Sequence, residues 1–169
     1  MVDSRRREPL RILRSCACPM QRRELSAPSD RIAIKGVLIQ TCIAPDLRDW
    51  DLYCSAFTAD AVIEYPSRFP SCDPRGFAAV VEQLVSTFAS TQHYLASCTI
   101  NVAAAEAESR AYVLAHHSGK PGTSMTYWAG AIYRDRWLRT DDGWRIHRRR
   151  GEPLWRQPAL TSQSVASLV

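Results

Sequence analysis

The 169-residue sequence predicts an α+β fold: a cone-shaped, curved antiparallel sheet wrapped around N-terminal helices and enclosing a pocket. Three observations carry this. Segments with helical spacing come first, within residues 32–57 and 76–91. Long β-branched and aromatic segments follow, from Thr91 to Trp155, broken by turn-rich connections. The hydrophobic fraction, 46%, is enough for one core of ordinary domain size. Helices segregated from an antiparallel run fit helices laid across one sheet, and the inside of such a cone is a natural small-molecule pocket.

Residues 1–29 hold seven arginines against Asp3, Glu8 and Glu24, so four of the five net positive charges lie there. That composition reads as a basic, disordered tail, followed by a domain over 30–156 and a polar C-terminal tail over 157–169. Ser29 or Asp30 supplies N-cap chemistry, and Ile32, Val37, Leu38, Cys42 and Ile43 suggest a first helix that Pro45 interrupts. "DLRDWDLYCSAF" reads as a second helix, and "DAVIEYPS" (60–67) as a strand with Glu64 on the face opposite Tyr65. "SCDPRG" is a turn-rich loop; Phe77, Val80, Val81, Leu84, Val85 and Phe88 then form one apolar helix face. The strand blocks are "TQHYLASCTINVAA", "AESRAYVLAHHSG" and "TYWAGAIYRDRWLRTDDGWRIHRRRGEPLW", the last folded at "TDDG" into a hairpin.

Composition narrows the function. No apolar run approaches the roughly 20 residues that span a bilayer. The Arg-rich start has no apolar segment behind it, so the expectation is a cytoplasmic protein with no membrane partner. The six cysteines (Cys16, Cys18, Cys42, Cys54, Cys72 and Cys98) lack metal-ligand spacing and read as buried thiols. "YRDRW" mixes arginine with aromatics, but the period of two puts Tyr133, Asp135 and Trp137 on one face and Arg134 and Arg136 on the other. A half-buried sheet explains that pattern, so no nucleic-acid partner is expected. No phosphate loop, nucleophile elbow, dinucleotide fingerprint or metal-ligand pair occurs, so the reading is cofactor-independent.

The candidate chemistry lies in the histidines. In an antiparallel meander the start of one strand lies beside the end of the next, which brings His93 of "TQHYL" near His116 and His117 of "YVLAHH". Alternation allows only one of His116 and His117 to point inward. Two imidazoles in an apolar pocket make an acid–base pair that titrates near working pH. Asp46 follows Pro45 at a helix start; it is either a helix-terminal charge or the carboxylate that fixes the tautomer of an inward histidine. Tyr65 ends its strand and can donate to a substrate carbonyl where negative charge develops.

The ordered set "DLRDWDLYCSAFTADAVIEYP", "TQHYL", "YVLAHH" and "YRDRWLRTDDGWRIHRRR" resembles SnoaL-like domains of the scytalone dehydratase type, in the nuclear-transport-factor-two-like superfamily, over roughly residues 30–156. The resemblance implies an α+β cone that removes water from a β-hydroxy ketone without a cofactor. It implies His93 as general base and His117, or else His116, as general acid oriented by Asp46, with Tyr65 polarising the carbonyl. Two positions depart from the family pattern. Pro45 stands where a second tyrosine is expected, and the position of a substrate-binding asparagine falls at Tyr133 or Arg134.

The expected function is a lyase or isomerase, dehydratase- or cyclase-like, acting on a small hydrophobic carbonyl or polyketide-type compound of secondary metabolism. Trp50, Tyr53, Phe69, Leu95 and Trp128 are the further candidate pocket walls, and a homo-oligomer, dimer or trimer, is expected. The competing reading is a non-catalytic module of the same fold that binds a small ligand or dimerises.

Overall fold

In a computed structural model that describes residues 19–66, 69–123 and 126–158, nine elements follow in order. They are α1 (Pro19–Leu47), α2 (Trp50–Cys54), β1 (Phe57–Tyr65), β2 (Phe69–Cys72), α3 (Pro74–Val85), β3 (Phe88–Ala103), β4 (Glu106–Gly119), β5 (Tyr127–Thr140) and β6 (Gly143–Pro158). The six strands form one sheet in the order β2-β1-β6-β5-β4-β3. The expected α+β architecture of a curved sheet and N-terminal helices is present. The sheet is not wholly antiparallel, because β1 runs parallel to β6. The reason is connectivity: α3 and three long strands separate β1 from its neighbour, and a crossover of that length permits parallel pairing.

Several boundaries differ from the sequence reading. The first helix begins at Pro19, inside the segment read as a tail, and runs through Pro45 to Leu47. Ser29 and Asp30 therefore lie within the helix rather than capping it. Asp30 instead accepts from Trp144 Nε1 (3.2 Å) and pairs with Arg139 (2.5 Å), tying α1 to the β5–β6 hairpin. Of the apolar positions that suggested the helix, Ile32 and Ile43 face solvent, while Leu38 and Cys42 are buried with Ile34 at helical spacing. The second helix shrinks to five residues with Asp49 as N-cap, because Phe57 already belongs to β1. Phe88 likewise starts β3 instead of extending α3. Part of the segment read as loop is the short strand β2, and Asp73 then caps α3 by accepting from the Gly76 amide (2.6 Å). At the other end β6 includes residues 157 and 158. Cys42, Cys54, Cys72 and Cys98 are free thiols, of which Cys42 is fully buried; Cys16 and Cys18 lie outside the described residues.

The core sits between α1–α3 and the concave face of the sheet. On β4 the buried positions alternate (Ala107, Ser109, Ala111, Val113, Ala115 and His117), and three of them are alanines. The most unusual core feature is ionic. Arg149 and Asp135 stand opposite each other on β6 and β5, joined by two bonds of 2.8 Å, and are 1% and 2% exposed. Their matched planar geometry offsets desolvation that would otherwise expel both charges. Burial opposes the Arg149 charge, but Asp135 more than compensates and holds it protonated. Asp135→Ala leaves that guanidinium buried without a counter-charge. It is expected to cost about 3–5 kcal/mol in urea unfolding, against about 1 kcal/mol or less for Arg134→Ala on the exposed outer face. Equal effects of the two substitutions would refute the assignment.

Candidate functional site

One hollow in the concave face gathers the candidate chemistry. Its volume is about 130 Å³, and Tyr53, Tyr65, Phe69, Phe77, His93, His117, Tyr127 and Tyr133 are among its walls. A larger hollow of about 540 Å³ lies on the outer face, but arginines and acidic residues line it and neither inward histidine reaches it.

Pairing register explains how the histidines meet. Thr91 lies opposite His117, and His93 opposite Ala115. His93 and His117 are thus diagonal neighbours on the inner face, with ring centroids 5.8 Å apart. Ala115 leaves room between them. His117 is the inward member of the "HH" pair. His116 falls on the outer face, where it lies against Trp128 at 4.8 Å.

Asp46 stands in the last turn of α1, not at a helix start, and its partner is His93 rather than His117. Its Oδ1 lies 2.6 Å from His93 Nδ1, its Oδ2 accepts the His93 backbone N–H (2.7 Å), and Thr91 Oγ1 donates to Oδ1 (2.9 Å). β3 is an edge strand, and a carboxylate here takes up one of its amides. A carboxylate at the C-terminal end of a helix meets an unfavourable dipole. Arg48 offsets this: its Nη1 donates to Pro45 O (2.7 Å) and Thr91 Oγ1 (2.8 Å), and its Nη2 to Val85 O (3.2 Å). Its backbone is left-handed, with φ 61°, which ends α1 and turns the side chain back over the helix terminus.

Burial works against the Asp46 charge, but hydrogen bonds from the His93 ring, the His93 amide and Thr91 outweigh it and hold the carboxyl below its ordinary range. An ionised carboxylate only accepts, so the His93 proton is assigned to Nδ1 and Nε2 is left with its lone pair. His117 is the opposite case. Burial pushes its pKa down to about 4, with smaller contributions in the same direction from His93, Arg156 and His116. It stacks on Tyr127 (4.4 Å) and meets the edge of Phe88 (5.0 Å), and its buried Nδ1 has no hydrogen-bond partner among the described residues. Near neutral pH this imidazole is uncharged.

At the other end of the hollow, Tyr65 stacks on Phe77 (5.0 Å) and meets Tyr133 edge-on (6.4 Å). Its ring lies across the backbone of Gly151, where an added Cβ would sit 2.1 Å from Tyr65 Cζ. The Arg149 guanidinium lies 4.3 Å from the centre of the Tyr133 ring. Burial is the first cause that raises the pKa of both phenols.

Of the expected walls, Tyr53, Phe69 and Tyr133 line this hollow. Trp50 and Leu95 pack into the core instead. Trp128 is on the outer face, stacked on Tyr94 (6.1 Å), because alternation turns it away from Tyr127. Arg134 is also outside, bonded to Glu152 (3.0 Å), and Glu64 pairs there with Arg148. Sequence reasoning missed Thr91 and Arg48. Thr91 was findable, since it lies two residues before His93 and must share its face; Arg48 had no signal.

The architecture is therefore an α+β cone whose concave face carries an aspartate–histidine pair and a second, neutral histidine beside aromatic walls. The chain belongs to the SnoaL-like domain family, whose sequence model matches residues 27–150. It is 29% identical over 127 residues to uncharacterised proteins of Mycobacterium tuberculosis and Mycobacterium bovis, covering 72% of this chain and 83% of theirs. Among solved structures it is similar to a protein of Novosphingobium aromaticivorans provisionally assigned as a scytalone dehydratase (19% identity, 82% of this chain and 93% of that one, TM-score 0.72). It is also similar to a hexachlorocyclohexane dehydrochlorinase of Novosphingobium barchaimii (20% identity, 80% and 94%, TM-score 0.70). At these identities the likeness is one of fold. No helix among the described residues is long and apolar enough to cross a membrane.

The low pKa of His117 gives a pH signature. Between 6.5 and about 4 the unfolded chain binds a proton at this position that the folded chain refuses, so folding stability falls on acidification through that window. His117→Phe removes this proton uptake, and urea unfolding across a pH series is expected to show a shallower loss for the variant. Parallel curves would count against the assignment.

Proposed function

We propose that this protein is a cofactor-independent lyase or isomerase that moves a proton beside a carbonyl group of a small hydrophobic substrate. The observation that carries the reading is the 2.6 Å contact between Asp46 Oδ1 and His93 Nδ1 at the wall of an aromatic hollow. A carboxylate in that position fixes the tautomer and stabilises the imidazolium that forms when Nε2 takes a proton. The dehydratase and dehydrochlorinase among the similar folds both have names that denote elimination, which is compatible with such a base.

In the elimination of water, His93 Nε2 takes the proton on carbon next to the carbonyl. The C–H electron pair moves toward the carbonyl oxygen, which accepts a hydrogen bond from Tyr65. The enolate then collapses, the double bond forms, and the β-hydroxyl leaves as water with a proton returned by the His93 imidazolium. The family resemblance implies the acid role for His117 or else His116. An uncharged imidazole is a poor proton donor, so its part is a hydrogen bond to the leaving oxygen. Without a leaving group the same enolate is reprotonated elsewhere or attacks a second carbonyl, giving isomerisation or cyclisation, the latter suited to polyketide-type substrates of secondary metabolism.

Turnover is tested by incubating the protein with β-hydroxy ketones in D₂O and following loss of water and deuterium uptake by mass spectrometry. His93→Ala is expected to lower turnover by about 10²–10⁴-fold, and Asp46→Asn to lower it with the fold retained. Activity equal to wild type in His93→Ala would remove the proposed base.

A homo-oligomer is proposed separately. Tyr94, Trp128, Leu154 and Trp155 are large apolar side chains left exposed by the sheet, and such patches mark contact surfaces. Light scattering is expected to give a dimer or trimer that Trp128→Glu weakens. A monomer at all concentrations would exclude it.

A further inference from the structure

We propose that the outer face of the sheet carries an anion-binding site that takes a chain of linked phosphates. It lies across the sheet from the inward histidines and does not rest on the proton-transfer reading. Three observations carry it: the register of the outer arginines, the shortage of carboxylates among them, and the lining of the hollow they form.

Register comes first. Arg150 of β6 stands opposite Arg134 of β5, and Arg134 stands opposite Arg110 of β4. In the next row Arg148 stands opposite Arg136. Neighbouring strands lie about 4.8 Å apart, so the first row sets three arginines in line over about 10 Å. Like charges directly opposite each other destabilise a sheet. Neutral polar residues, or pairs of opposite charge, would solvate this face equally well without that repulsion.

The nearby carboxylates do not cancel the charge. Arg148 pairs with Glu64 (2.5 Å) and Arg136 with Glu108 (3.7 Å). Arg134 (3.0 Å) and Arg150 (3.5 Å) share one oxygen of Glu152. Arg110 lies over the ring of Tyr112 (4.4 Å) and donates to the hydroxyl of that residue (2.7 Å). Among the described residues no carboxylate comes within ion-pair reach of Arg110. Five arginines therefore meet three carboxylates, and two positive charges remain in excess. The side chains of Arg134, Arg136, Arg148 and Arg150 are 49–72% exposed, so their donors are open to a ligand.

The lining selects the kind of ligand. All five arginines border the outer hollow of about 540 Å³, a volume within the range of small-ligand sites. Its other walls are also polar, Thr99 and Asn101 among them, and no apolar side chain of the described residues lines it. A ring or an acyl chain has nothing there to bury against. Guanidinium forks match phosphate oxygens with paired hydrogen bonds, and linked phosphates spread their charge along a row as these arginines do. Free polyphosphate and the phosphate chain of a nucleotide share this chemistry. A second copy of the protein is a poor occupant, because it would bring the same excess of arginine. The exposed Tyr94, Trp128 and Trp155 lie toward the other end of the same strands.

The probe is inorganic tripolyphosphate, titrated calorimetrically into the full chain, with orthophosphate, ATP and a short DNA duplex in parallel. The expected result is saturable binding of one tripolyphosphate per chain, at least tenfold tighter than orthophosphate and weakened by added salt. ATP binding as tightly as tripolyphosphate supports the site with a nucleotide as the source; ATP binding at least tenfold more weakly supports it with free polyphosphate. The seven arginines within residues 1–29 are a competing source of charge, and variants separate the two. Arg110→Gln combined with Arg134→Gln is expected to weaken tripolyphosphate binding at least tenfold. Glu152→Gln, which removes the shared carboxylate, is expected to tighten it severalfold, and Arg75→Gln on α3 to leave it unchanged. Thermal melts check that each variant folds, and tripolyphosphate is expected to raise the melting temperature of the wild type but not of the double variant. Undiminished binding in the double variant would assign the ligand to residues 1–29 and overturn the proposal. Orthophosphate binding as tightly as tripolyphosphate, or no binding of either, would also overturn it. A duplex preferred to tripolyphosphate and weakened by the same double variant would make this face a nucleic-acid surface instead.

Discussion

The carboxylate of Asp46 is the contact on which the concave site depends. It joins the end of α1 to the free edge of the sheet through the ring and amide of His93 and the hydroxyl of Thr91. One group therefore does three things. It satisfies an amide of an edge strand, closes the cone at its open side, and fixes the imidazole that faces the hollow. The cost of a negative charge at a helix C-terminus is met by Arg48, whose left-handed backbone returns its guanidinium to the same junction. The His93 imidazole is thus held by the same contacts that hold the helix to the sheet.

The two inward histidines differ because their surroundings differ. His93 has a charged partner and a bonded amide. His117 has aromatic rings on two sides, an unpartnered Nδ1 and cations nearby, and burial keeps it neutral. Two like side chains are thereby given unlike environments on one face. At the opposite end Asp135 and Arg149 supply a charge pair that water cannot reach. The Asp135 carboxylate opposes the field of Arg149 at Tyr133, and burial leaves that phenol above its ordinary range.

Much of the arrangement was legible in the sequence, for reasons tied to period. Alternation along "YRDRW" correctly put Tyr133, Asp135 and Trp137 inside and Arg134 and Arg136 outside. The same rule allowed only one histidine of "HH" to face inward without saying which, and antiparallel order brought the pair to His93. Alternation failed on β6. Trp144 and Ile146 point inward, so a regular strand would bury Arg148. A shift of register between Arg136 and Trp137 places an extra residue there, and Arg149 faces the core instead. Nothing in "HRRRG" marks which arginine that is.

By itself the sequence determined the fold class, the inner and outer faces of most strands and the meeting of His93 with the histidine pair of β4, because these follow from local period and strand adjacency. The partner of Asp46, the burial of Arg149 beside Tyr133 and the exclusion of Trp128 and Arg134 from the pocket were decided only by tertiary structure. Each depends on where a helix end, a bulge or a sheet edge meets a residue distant in the chain, and such meetings are set by packing over the whole cone rather than by any local pattern.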